Sequence, residues 1–132
     1  MNLRIKLFLV LVVMTLGCTN TSEENSEKRL VKISIMYPSG EGRTFNMNYY
    51  KNNHMPMLKK LFGPTMKKYV IDKGLRGRTV EDEIPFLAMG HMYFETISDY
   101  ENVFGQHHEK ILGDIPNYTN IRPIVQISEV VP

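Results

Sequence analysis

The chain has 132 residues, 42% hydrophobic and 23% charged, with a single cysteine and no tryptophan. That is enough chain for one domain with one modest core, and one cysteine excludes an internal disulfide framework. Of 16 basic residues, Arg4 and Lys6 fall in an N-terminal leader, leaving 14 basic against 14 acidic side chains and no basic face for a nucleic-acid partner.

Residues 1–17 read as an export leader. Arg4 and Lys6 form a positive start, Leu7 to Leu16 is an apolar stretch broken only by Thr15, and Gly17 precedes Cys18. The apolar run is short for a membrane-spanning helix and has the layout of a signal peptide. Thr15-Leu16-Gly17-Cys18 resembles a bacterial lipobox, with Thr15 where that motif prefers an aliphatic residue. Cys18 is therefore expected to carry a lipid anchor, two acyl chains being enough for stable membrane attachment. The alternative is a free thiol behind an ordinary secretory signal. Thr19, rather than an aspartate, leans towards the outer membrane of the cell envelope and away from the inner one. Residues 18–29 are polar and read as a flexible tether, in which Ser22-Glu23-Glu24 resembles the acidic surface-display signals of some lipoproteins.

The folded domain is expected over 30–132. Val31, Ile33, Ile35 and Tyr37 alternate with Lys32, Ser34 and Met36, the period of a strand, and Pro38 to Gly42 forces a loop. Asn46 is placed as the cap of a first helix, with Phe45 and Tyr50 at hydrophobic-staple spacing. Pro56 should interrupt this helix because it lacks an N–H and displaces the Asn52 carbonyl. Met57, Leu58, Leu61 and Phe62 carry the apolar face on to Gly63-Pro64. A weaker strand is expected over 68–75, an exposed connection over 74–84, and a clear strand over 86–95 with Gly90 marking a close backbone approach. Ser98 to Glu101 has capping-box form and should open a second helix running to Lys110 or Leu112. A loop over 113–118 and a last strand over 121–131 complete the series.

The order β-α-β-β-α-β predicts an α+β, ferredoxin-like domain. Two helices cover one face of such a sheet and leave the other bare. A bare face carrying apolar side chains wants a partner, and a homodimer packed sheet against sheet is the simplest one.

Several segments in this order resemble the EthD family of dimeric α/β-barrel proteins. They are Tyr37-Pro38 with Gly40-Glu41-Gly42, Phe45 to Tyr50 leading into His54-Met55-Pro56, and Gly63-Pro64. Gly90 to Phe94, the run Asp114 to Ile121, Pro123 and Gln126-Ile127-Ser128 follow. The resemblance spans about residues 31 to 130. It implies a dimeric barrel and an association with bacterial ether degradation beside a cytochrome monooxygenase system. Family members often carry a reductase or oxidoreductase label and are generally cytoplasmic, a setting from which the leader departs. A shared scaffold fixes fold far better than reaction.

His54 is the first candidate for chemistry, placed before the Pro56 break where backbone groups are freed and a ligand has room. Its imidazole serves there as general acid or base, or alternatively caps the freed carbonyls. His91 is the second, on a strand face shared with Leu87, Met89 and Tyr93. If buried it needs a hydrogen-bond partner, for which Tyr118 or Asp114 is the candidate, and a satisfied core histidine is the competing reading. Tyr37, Asp114 and Tyr118 stand near strand ends or in loops where pocket rims form and are second candidates, for ligand binding, with a loop cap as the alternative for Asp114 and a packed ring with its hydroxyl at the surface for Tyr118. The neighbouring His107 and His108 point about 100° apart on a helix, and no Cys/His/Asp/Glu set has ligand spacing, so no metal is expected. Gly40-Glu41-Gly42 lacks the third glycine of a dinucleotide loop, so no cofactor is expected either. The leading expectation is a cavity between sheet and helices that binds a small apolar or aromatic molecule, with oxidative or proton-transfer chemistry. A non-catalytic ligand-binding or accessory lipoprotein is the alternative.

Overall fold

A computed structural model describes residues 29–131; the predicted leader, Cys18 and most of the tether lie outside them. Four strands form one antiparallel sheet in the order β2-β3-β1-β4, with β1 at Val31–Pro38, β2 at Lys68–Lys73, β3 at Phe86–Phe94 and β4 at Ile124–Glu129. One helical run covers Met47 to Phe62, built from α1 (Met47–Tyr49), a π-helical turn (Tyr50–His54) and α2 (Met55–Phe62). Helix α3 spans Ile97–Asp114 and ends in a 3-10 turn, Ile115–Asn117. This is the ferredoxin-like arrangement expected from the alternating patterns.

Strand alternation decides which face each residue serves. Ile33 and Tyr37 of β1 and Ala88, Met92 and Phe94 of β3 are buried against the helices, where they meet Tyr50, Met55, Leu58 and Phe62. Phe62, Phe94 and Tyr100 pack ring on ring, with Phe62–Tyr100 stacked at 5.9 Å between centroids. On the other face lie Lys32, Ser34 and Met36 of β1, opposite Tyr93, His91 and Met89 of β3. No element of the described residues covers that face.

Local signals set the helix starts. Asn46 accepts a hydrogen bond from the Tyr49 N–H at 3.0 Å, and the Phe45 and Tyr50 rings meet at 5.1 Å, so cap and staple form where expected. The capping box of α3 forms two residues earlier than expected. Thr96, not Ser98, is the cap: its hydroxyl accepts from the Asp99 N–H, and the Asp99 carboxylate accepts from the Thr96 N–H. The helix also runs past Leu112 to Asp114, since Gly113 keeps helical hydrogen bonding instead of ending it. The expected loop over 113–118 is thus the last turn of α3 and a 3-10 turn, and β4 begins at Ile124 in place of Ile121.

Pro56 does not break the first helix. It sits in the first turn of α2, and the strain is taken up just before it, where the Met55 N–H donates to the Tyr50 carbonyl five residues back. A π turn inserts one extra residue into the helical winding.

Candidate active site

The widened turn rotates His54 inwards, where its side chain is 3% exposed. Across from it, the segment after α3 is stitched to the loop before α1. The Asn46 N–H donates to the Tyr118 carbonyl at 2.7 Å, the Thr119 hydroxyl donates to the Thr44 carbonyl at 2.7 Å, and the Thr44 N–H donates to the Asn120 side chain at 2.9 Å. These bonds hold Tyr118 over His54, with ring centroids 4.6 Å apart.

A continuous hydrogen-bonded chain results. His54 Nδ1 meets Asp114 Oδ2 at 2.7 Å, His54 Nε2 faces the Tyr118 hydroxyl at 3.4 Å, and the Tyr118 and Tyr37 hydroxyls meet at 2.8 Å. Asp114 Oδ1 also accepts from the Tyr49 hydroxyl at 2.7 Å and the Asn117 amide at 2.9 Å. Tyr50 completes the cluster by stacking on His54, with centroids 5.5 Å apart and planes 17° from parallel.

The electrostatics follow from burial and partners. Desolvation pulls the His54 pKa below the ordinary histidine value, outweighing the raising effect of Asp114. Desolvation tends to raise Asp114, but the hydrogen bonds from Asn117, Tyr49 and His54 more than offset it and hold the carboxyl low. At neutral pH Asp114 is therefore ionised and His54 neutral. The nitrogen facing the carboxylate, Nδ1, carries the proton, and Nε2 keeps its lone pair. Burial pushes the Tyr37 and Tyr118 phenols well above the ordinary tyrosine value, so both remain O–H donors.

His54 and Tyr118 line a cavity of about 90 Å³. Ile35, Leu58, Phe62, Met92, Phe104 and Ile111 supply much of its apolar wall, while His54, Tyr118 and Tyr37 give one polar end. Leu112 and Val125 line the same space and are half-exposed, marking its mouth.

Of the residues singled out from sequence, His54, Tyr37, Asp114 and Tyr118 converge here, Asp114 from the end of a helix and not from a loop. His91 does not. It lies on the opposite face of the sheet, 14% exposed, between Ser34 Oγ at 2.9 Å and Asp72 Oδ2 at 3.0 Å. The expected partners Tyr118 and Asp114 are out of its reach because side chains of β3 alternate between faces. Tyr49, Tyr50 and Asn117 belong to the cluster and were missed from sequence. In an α-helix Tyr49 and His54 point about 140° apart; the π turn brings both onto Asp114. Among the described residues no group of three or more His, Cys, Asp or Glu side chains is placed to hold a metal.

The pattern of the EthD domain matches residues 40–122, which contain the whole cluster except Tyr37. The chain belongs to the EthD family. An EthD-like protein from Ralstonia eutropha JMP134 is 38% identical, with a TM-score of 0.76 over 80% of this chain and 95% of its own. An EthD family protein from Bacillus halodurans C-125 is 18% identical, with a TM-score of 0.51 over 77% of this chain and 99% of its own, and shares the fold. No curated protein matches the chain. Among the described residues no helix of this EthD domain is long and apolar enough to cross a membrane.

One pH dependence follows directly. In the unfolded EthD domain His54 regains its ordinary pKa, so below it the unfolded chain binds more protons than the folded one and stability falls. Asp114, also held low, adds to the loss at more acid pH. Thermal melts should therefore shift down steadily from neutral to acid pH. His54→Asn should flatten the upper part of that decline, and an unchanged slope there would show that His54 is not held neutral.

Proposed function

We propose that this EthD domain binds a small, largely apolar molecule in the cavity and carries out proton transfer on it, with His54 as the base. The observation that carries this reading is the division of labour on one imidazole. Nδ1 is committed to Asp114, while Nε2 keeps its lone pair towards the Tyr118 phenol, and His54 and Tyr118 both line an apolar space. A general base needs that geometry first and a pKa near or below the working pH second. Tyr37, Tyr118 and Asp114 then serve the ligand end and the orientation of the base. Proton transfer is a step that the chain's own side chains can perform.

The test is an NMR titration of the His54 ring protons in the folded domain, with and without small aromatic ligands. His54 should titrate below the ordinary histidine range and shift when a ligand enters. A pKa raised above that range would overturn the base assignment, leaving a binding protein of the accessory type.

Two features of setting belong to the same proposal. Met36, Met89 and Ile124 share the uncovered sheet face with Val70, and Val70 and Ile124 are substantially exposed, which supports a homodimer packed through that face. The leader ending at Cys18 supports a lipid-anchored domain at the cell envelope, on the outer membrane. Native mass spectrometry of the domain and metabolic labelling of Cys18 with a clickable fatty acid check the two separately. A monomer removes the first, and an unlabelled Cys18 removes the second.

A further inference from the structure

Resting on the reading of His54 as a base, we propose that the substrate class is a compact ketone with an acidic α C–H, and that Tyr118 is the hydrogen-bond donor to its carbonyl. The base does not stand alone in the cavity. Tyr118 is the hydrogen-bond partner of Nε2, with the hydroxyl 3.4 Å away, long for a settled bond and easily parted by a ligand. Tyr37 sits behind it at 2.8 Å. When Tyr37 donates to the Tyr118 oxygen, the Tyr118 proton points to Nε2, and a ligand carbonyl entering between the two takes that proton's hydrogen bond over.

A base and a donor side by side match the two ends of an enolising carbonyl compound. Ordinary bond lengths put the α-carbon and carbonyl oxygen of a ketone about 2.4 Å apart. Neighbouring groups 3.4 Å apart can address those two atoms together. A lone base would suit any weak acid, whereas the added donor is useful only where negative charge builds on an oxygen next to the reacting carbon. The apolar wall strengthens that single hydrogen bond by keeping water away. Size sets the second limit. With one water molecule needing ~10–15 Å³, a cavity of about 90 Å³ has room for roughly six to nine heavy atoms, the scale of a single ring.

The step is balanced without any co-reactant. The α C–H bond breaks and its proton passes to His54 Nε2. The electron pair of that bond becomes the enolate C=C, and the carbonyl π pair moves onto oxygen, which accepts from the Tyr118 O–H. The imidazolium then returns the proton, either to the same carbon, giving exchange, or to the far end of a conjugated enolate, giving a double-bond shift. Asp114 holds the imidazolium in place in between.

The probe is a β,γ-unsaturated cyclohexenone, whose conversion to the conjugated enone is read by ultraviolet absorbance and by deuterium uptake from heavy water. The wild-type domain should isomerise it. Tyr118→Phe should slow turnover by about 10²–10³-fold, and His54→Asn by about 10²–10⁴-fold, while Tyr118→Phe still binds the ketone, as seen in the His54 ring-proton shifts. Binding by the wild type with neither isomerisation nor deuterium uptake overturns the ketone assignment and leaves the base and cavity intact. Turnover lost in His54→Asn but unchanged in Tyr118→Phe removes Tyr118 from the reaction. No shift of the His54 resonances on adding the ketone overturns the ketone assignment, and the cavity reading falls with it only if small aromatic ligands also leave them unmoved.

Discussion

Asp114→Asn is expected to invert the tautomer of His54. The carboxylate accepts three hydrogen bonds, from His54 Nδ1, the Tyr49 hydroxyl and the Asn117 amide. An asparagine oxygen can replace Oδ1 towards Tyr49 and Asn117, which leaves its NH₂ facing His54. A donor there requires Nδ1 to become the acceptor, so the ring proton moves to Nε2. The lone pair that faces the cavity is then gone, and the base with it, although no atom of His54 has been changed. Loss of the charge from a buried histidine contact should also cost about 2 kcal/mol, or roughly ten degrees in Tm for a domain of this size. Long-range ¹⁵N–¹H correlation of the His54 ring reads the tautomer directly. If Nδ1 stays protonated in the variant, Asp114 does not orient the base.

Gly90→Ala should be among the more damaging single-atom insertions in the core. A Cβ at Gly90 would fall 2.1 Å from the Tyr50 hydroxyl oxygen and 3.3 Å from the ring carbon bearing it. The Tyr50 ring has little freedom to retreat, since it is fully buried and bracketed by Tyr37, Phe45, His54 and Tyr118. Overpacking of this kind costs about 1–3 kcal/mol, which for a domain of about 100 residues lowers Tm by several degrees per kcal/mol. Because Tyr50 stacks on His54, the displacement should also reach the candidate base. The Tyr50 hydroxyl is itself an outlier. Burial drives its pKa far up and the neighbouring Tyr37 hydroxyl adds to the rise, yet among the described residues no partner meets full hydrogen-bond geometry with it. Tyr50→Phe alone should thus be neutral or slightly stabilising, and it should rescue Gly90→Ala by vacating the space the new methyl needs. Thermal melts of the two single variants and the double variant measure this coupling. Additive losses would mean that the strain is relieved elsewhere.

Gly90 and His54 differ in how plainly the sequence marks them. Gly90 announces itself as a glycine inside an apolar strand, and the close approach it permits was legible. Its partner was not, because a strand pattern gives a residue's face and not what lies against it. His54 was marked by its place before Pro56, yet Tyr49 and Tyr50 went unmarked. Reading a helix at 3.6 residues per turn puts Tyr49 and His54 on different sides, and only an inserted residue aligns them. His91 erred in the other direction. A histidine among apolar neighbours looked like a candidate for the same pocket, but the sheet separates it from His54, and Ser34 and Asp72 satisfy it.

The amino-acid sequence by itself determined the order of strands and helices, the family resemblance, the cap and staple that start the first helix, and which residues of a strand share a face. These depend on contacts between residues close in the chain, and alternation, capping and turn chemistry express such contacts directly. Only the tertiary structure decided that Asp114 and His54, 60 positions apart, form one buried pair, and that Tyr118 and Tyr37, 81 apart, extend it. Those distances depend on where α3 ends and how the segment after it is stitched to the loop before α1. They depend too on a π turn that no periodic reading contains.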